Sequence, residues 1–247
     1  MNKIAIIVPV CSRNQTYKSI KDTPIVKYLY PSVKKTKNNM YEYTFFIGYD
    51  DDDIFYKNNI SYIEQIGQNI KTFELHGCAH APAYAWNQLF VIAYNENYDY
   101  FLQIGDDAVI HTDNWTDSFI NKLKETDYIG VVGPSDPVNY LERKKLGIAI
   151  ILEVTFVSRK HYEIFNTYFH PDIKNWFCDN WISAVYQINN NKYFYIFEDI
   201  NYTNEIRDGR YLIHKCPQIY YYIIDGQKKL VDYIGLKNTN TSDSSSS

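Results

Sequence analysis

The stretch Tyr98-Asp-Tyr-Phe-Leu-Gln-Ile-Gly-Asp-Asp-Ala-Val-Ile-His111 decides how the rest of the chain is read. Its apolar run from Tyr100 to Ile104 has the length of a buried strand and stops at Gly105, followed by two adjacent carboxylates, Asp106 and Asp107. Like charges a few ångströms apart raise each other's pKa unless donors or a cation take up the charge. Two readings of the pair stand. One is an Asp-Asp turn open to water; the other is a ligand site, because hard divalent cations take oxygen ligands and often share a nucleotide's phosphates with one or two carboxylates. In open α/β sheets ligands also gather at the carboxyl ends of strands.

Working outward, Lys3 to Val10 reads as a first buried strand closed by Pro9 and followed by the polar loop Cys11-Ser-Arg-Asn14. A short helix is expected over Thr23 to Tyr30 and a basic surface loop over Pro31 to Asn39. Tyr41 to Tyr49 is a second strand running into Asp50-Asp-Asp-Asp53, where Asp50 is either a contact for a base or ribose or part of a solvated acidic turn. His76-Gly-Cys-Ala-His80 invites a zinc reading, but no second ligand pair lies at ribbon or finger spacing, and Gly77 and Pro82 break the helix that would align the two histidines. Pro82 opens a helix whose Ala83, Trp86, Leu89, Phe90, Ala93 and Tyr94 share a face. Asp113 or Asn114 caps a further helix from Trp115 to Lys124.

Tyr128 to Val132 is a strand ending in a Gly133-Pro-Ser-Asp-Pro137 turn, and Leu146 to Val157 is a strand-like apolar run. Ser158 can cap a helix through Phe165, and Tyr193 to Phe197 is a late strand. Asp179 precedes a helix carrying Trp181, Ala184, Val185 and Ile188 on one face. It is either an N-cap alone or a carboxylate that the helix N-terminus keeps ionised at neutral pH and able to accept a proton. Strands and helices alternate through the first half, so the fold class is α/β with a largely parallel sheet.

Composition narrows the function. A net charge of -4 argues against a nucleic-acid or anionic-membrane partner. Four scattered cysteines form neither a disulfide framework nor a zinc ribbon and fit a reducing compartment. No run is long enough for a signal peptide or a membrane span, so a soluble, cytoplasmic protein is expected. Abundant Asn, Ile, Lys and Tyr (25 Tyr) points to an AT-biased genome, a large DNA virus or a low-GC microbe, and so to a viral factory or virion as alternative locations. Neither GxxxxGK[ST] nor GxGxxG occurs, so any bound phosphates are held without a glycine-rich cradle.

Taken in order, the strand Lys3 to Val10, the acidic end Asp50 to Asp53, the Pro82 to Phe90 helix, Phe101-Leu-Gln-Ile-Gly-Asp-Asp107, Ile129-Gly-Val-Val-Gly-Pro134 and Trp176-Phe-Cys-Asp-Asn-Trp181 resemble a GT-A fold glycosyltransferase over about residues 3–216. The resemblance implies a Rossmann-like three-layer sandwich with a mostly parallel sheet. It implies one catalytic domain over 1–236, with a nucleotide-sugar half to about residue 110 and an acceptor half beyond; residues 237–247 are expected to be a disordered tail. It further implies a metal-dependent, inverting hexosyl transfer from a UDP-sugar or other nucleotide diphosphate sugar to a glycan or protein hydroxyl.

By the same resemblance Gly105-Asp-Asp107 stands in place of the DxD-type motif, with Gly105 replacing its first acid. Asp107 and His214 would hold Mn2+ or Mg2+, Asp106 would lie near the ribose or donor sugar, and Pro9, Val10, Arg13 and Asp50 would bind the nucleotide. Asp179 would be the catalytic base. Trp176, Phe177 and Trp181 either stack on an acceptor sugar or belong to the core. Two other functions fit the same features: a sugar nucleotidyltransferase, disfavoured by the glycine-free loop after the first strand, and a carbohydrate-binding module without turnover, suggested by Gly105.

Overall fold

The computed structural model describes residues 1–206 and 215–243, and side chains of the last helix to residue 236. The chain runs β1 (Lys3–Val10), α1 (Tyr30–Thr36), β2 (Glu42–Asp50), α2 (Ile54–Gln65), β3 (Ile70–Leu75), α3 (Pro82–Asn95), β4 (Tyr100–Gln103) and β5 (Ala108–Ile110). It continues through α4 (Trp115–Lys124), β6 (Val131–Ser135), α5 (Pro137–Leu146), β7 (Thr155–Ser158), α6 (Lys160–Phe165), α7 (Cys178–Tyr186), β8 (Phe194–Asn204) and α8 (Ile219–Asp243).

Strand β1 shows why the sheet sits in the middle. Ile4, Ile6, Val8 and Val10 point to one face, where they meet residues of α1, α2 and α4, while Ala5 and Ile7 point to the other, among residues of α3, α6, α7 and α8. A strand buried on both faces must be apolar throughout, which is why it reads as an unbroken run. Each fully buried Ile or Val contributes about 1.5–3 kcal/mol. Helices thus cover both faces in three layers.

The sheet order is β3-β2-β1-β4-β7-β6-β8-β5. Strands β3, β2, β1 and β4 are mutually parallel, whereas β4–β7, β7–β6 and β8–β5 are antiparallel and β6–β8 is parallel. The sheet is therefore mixed, which corrects the expectation of a mostly parallel one. Chain order reverses between β1 and β4, and a crevice opens at the carboxyl ends flanking such a switch point.

Four further local expectations are revised. The supposed basic loop after Tyr30 is α1, for which Pro31 suits the first turn while Val33 and Thr36 are buried. The supposed Gly133–Pro137 turn is the end of β6, where Gly133 is required because a Cβ there would lie 2.2 Å from the carbonyl oxygen of Val154. Pro134 falls where the β6–β8 register shifts, so its missing donor costs little. The run from Leu146 begins as the end of α5, a helix whose start is capped by the Asp136 carboxylate, which accepts from the backbone N–H of Val138 at 2.9 Å. Finally, α8 continues to Asp243, into the stretch expected to be disordered; residues 244–247 lie outside the described residues.

Candidate active site

The Asp-Asp turn is fixed from both sides. The Ala108 N–H closes it onto the Gly105 carbonyl at 3.3 Å, and β5 is pinned to β8, so that the Glu205 N–H reaches the Asp107 carbonyl at 3.0 Å. The two carboxylates then part company. Asp106 is 2 % exposed and lies close enough to Tyr56 of α2 to raise that phenol's pKa, after the larger effect of burial. Asp107, 7 % exposed, lines a cavity of about 520 Å3.

Asp179 lines the same cavity, in the first turn of α7 rather than before it. The helix enters through Phe177, which holds a left-handed φ of 79°. That conformation costs a bulky residue of order 1–3 kcal/mol and is typical of sites where geometry is over-determined. Asn175 helps impose it: its side-chain oxygen accepts from the Trp176 N–H at 2.7 Å, and its own carbonyl accepts from the Cys178 N–H at 3.3 Å.

The ionisation expected for Asp179 is reversed. Its carboxyl reaches the cavity but is surrounded by protein, and this desolvation, with Glu153 nearby, raises its pKa to about 8, with Cys178 and Arg143 opposing. Burial outweighs the helix N-terminus. Asp179 is mostly protonated at neutral pH, beside the Cys178 thiol, whose Sγ donates to Oδ1 at 3.6 Å.

Glu153, Arg143 and Asn139 complete the wall and were missed in the sequence. Glu153 is held by the Tyr202 hydroxyl at 3.1 Å and the Asn139 amide at 3.3 Å. Its signal was a single acid inside the apolar run from Ile148 to Val157. Trp86 and Trp176 also line the cavity; Trp176 is 48 % exposed, whereas Trp181 is a core residue donating from Nε1 to the Tyr222 carbonyl at 3.0 Å.

A second cluster forms where β1 and β2 end. Arg13 pairs with Asp50 at 3.2 Å and Asp52 at 2.9 Å, and Ser12 donates to Asp53 through its N–H and its hydroxyl, each at 2.7 Å. Asp53 also caps α2, so every acid of this strand end except Asp51 is tied into one loop; Asp51 meets His76 at 2.8 Å instead. Burial still raises the Asp50 pKa, with Arg13 opposing, and pushes the Cys11 thiol up to about 11. Pro9 is half-buried, while the Val10 side chain belongs to the core and leaves only its backbone for a ligand.

His214 lies outside the described residues. Among the described residues no group of three or more His, Cys, Asp or Glu side chains is placed to hold a metal, and this includes the His76 to His80 segment. Among them, too, no helix is long and apolar enough to cross a membrane. Asn87 straps α3 to the backbone of Phe169 through bonds of 3.1 and 2.7 Å.

No protein-family model matches the chain. No curated protein matches it either. Solved structures do. The S. aureus TarS 1–349 structure in complex with UDP-GlcNAc is 13 % identical with a TM-score of 0.56, covering 90 % of this chain and 64 % of that one. The structure of GalNAc-T7 with UDP, GalNAc and Mn2+ is 10 % identical with a TM-score of 0.62, covering 91 % of this chain and 47 % of that one. The chain thus spans less than two thirds of either structure, and what it shares with both, at this identity, is the fold.

Proposed function

We propose that the chain is a glycosyltransferase that moves a sugar from a nucleotide diphosphate sugar to a hydroxyl acceptor. The observation that carries this reading is the cavity lined by both Asp107, at the carboxyl end of the central strand, and Asp179, opening a late helix. The fold held in common with structures solved with UDP-GlcNAc and with UDP and Mn2+ supports it. Residues 1–236 act as one catalytic unit, with the nucleotide held mainly by the part to about residue 110.

Asp179 is the base. A carboxylate with a pKa near 8 is poised close to the working pH, where it takes the acceptor's proton as the hydroxyl attacks the anomeric carbon. Attack on the face opposite the diphosphate makes the reaction inverting. Arg13 and Asp50 contact the base or ribose, together with Pro9, the Val10 backbone and Asp106. With substrates bound against Trp86, Trp176 and Phe177 of the cavity, water would be displaced, which protects the activated sugar from hydrolysis.

The residues fit a shared cation rather than a protein cage. Mn2+ and Mg2+ keep several waters and bind through one or two carboxylates plus phosphate, and Asp107 offers one such carboxylate on the cavity wall. His214 would be a second ligand. A cation held by Asp107 would offset charge on the leaving diphosphate.

The test is a thermal-shift and turnover screen of nucleotide sugars with and without Mn2+. Expected is a rise in melting temperature with one donor, larger with the metal, and release of nucleoside diphosphate on adding acceptor. Pyrophosphate released from a nucleoside triphosphate and a sugar 1-phosphate would make the chain a nucleotidyltransferase instead. Glycan binding with no nucleotide affinity would make it a binding module.

A further inference from the structure

The net charge of the chain hides one local surface of the opposite character. At the end of α5 the sequence Leu141-Glu-Arg-Lys-Lys-Leu-Gly-Ile-Ala149 carries three consecutive cations, Arg143, Lys144 and Lys145, against Glu142 within it and Glu198 of β8, which lies 3.7 Å from Lys144. Around them large apolar side chains face outward: Val138 is 52 % exposed, Leu141 63 %, Leu146 60 % and Ile148 51 %. The turn is built to project. Gly147 ends the helix at a φ of 65°, and a Cβ placed there would touch nothing within 4 Å. Arg143 braces it by donating to the Ala149 carbonyl at 3.1 Å.

We propose that this tip is a lipid-facing surface that seats on an anionic membrane. Exposed Leu, Ile and Val flanked by Arg and Lys match the two halves of such a surface, acyl chains below and acidic headgroups around them. The outward side chains of Val138, Leu141, Leu146 and Ile148 are not among the residues lining the cavity, which suits a fluid surface better than the shaped groove of a folded partner. Its position adds direction: Arg143 also lines the cavity, and so does Trp176, an exposed indole of the kind that settles at headgroup level. A chain resting on the tip would keep Arg143, and with it the cavity that Arg143 lines, close to the lipid. The membrane contact stands on the tip alone; only the further consequence, that the hydroxyl acceptor is presented from the membrane, depends on the transferase reading.

The experiment is co-sedimentation of the purified chain with vesicles of phosphatidylcholine alone and of phosphatidylcholine with one third phosphatidylglycerol, at low and high salt. The intact chain should bind the anionic vesicles at low salt and weaken as salt rises. Lys144→Glu with Lys145→Glu should weaken binding by about 25-fold or more, at roughly fivefold per cation removed. Leu146→Asp with Ile148→Asp should weaken it at least as much. The control Lys34→Glu with Lys35→Glu changes an equally exposed basic pair on α1 and should bind as the intact chain does. Unchanged melting curves for all three variants show that each is folded. Failure of the intact chain to bind either vesicle overturns the proposal, including the case in which the tip serves a protein partner. Equal loss in the α1 control, or none in the tip variants, also overturns it. None of these outcomes bears on whether the cavity transfers sugar.

Discussion

Two groups of acids lie near the carboxyl ends of the strands, and they are treated in opposite ways. Where β2 ends, Asp50 and Asp52 face Arg13, and Asp53 is held by Ser12 and the start of α2. In the cavity, Asp179 faces another carboxylate, Glu153, in a poorly solvated setting, and its pKa climbs to about 8. The first arrangement gives its acids a guanidinium and donors, and so fixes a loop. The second gives up stability to keep a group that can take and return a proton near neutral pH.

The largest effect expected of that difference is on Asp179→Asn, which preserves shape and removes the proton acceptor. Transfer should fall by about 10²–10⁴, measured as product formed at saturating donor. The same variant should be more stable than the parent, in a defined pH window. Because the folded-state pKa lies above that of the unfolded chain, the unfolded chain releases this proton first, and stability is lost as pH rises from about 4 to about 8. The variant's gain in melting temperature should therefore be absent near pH 4 and reach about 10 °C or more above pH 8. An inactive variant with no gain at high pH would mean that burial does not set this carboxyl's proton affinity.

Asp107→Ala comes next, with a loss of about 100-fold in transfer and of the metal-dependent part of donor binding. Arg13→Ala acts on the other group. It leaves Asp50 buried without its cation and should cost about 2 kcal/mol of stability at neutral pH, read from denaturant melts. The deficit should shrink as the pH is lowered and Asp50 takes up a proton. A neutral result would mean that the β2 cluster is solvated as loosely as a surface ion pair.

What the sequence made legible follows from how locally each feature is determined. Strands β1, β2 and β4 are buried on both faces, so their apolar runs declare them, and the helices opening at Pro82 and Trp115 show their faces directly. The second half depends on contacts between distant segments. Pro134 lies in a strand because the register slips there, and Gly226 sits inside α8 because a Cβ would come within 2.6 Å of Val185 on α7. Neither residue looks like its element. Similarly, the position of Asp179 at a helix start could be read, but its protonation could not: the helix end that favours the anion is adjacent in sequence, whereas the burial and the Glu153 charge that oppose it come from elsewhere in the fold.

Glu153→Gln probes the smallest step of the comparison, because it separates the two causes of the raised pKa. Burial of Asp179 is unchanged by the substitution, and the amide can keep accepting from Tyr202 and Asn139. Only the neighbouring negative charge is lost. The Asp179 carboxyl then ionises more easily, so the rising limb of kcat/KM against pH should move to lower pH by less than about one pH unit. Activity at pH 7 should rise, by up to about fivefold, while the plateau well above pH 8 stays where it was. A limb that does not move assigns the whole effect to desolvation, and a plateau that collapses shows that Glu153 touches the substrate, which would place two working carboxylates in the cavity instead of one.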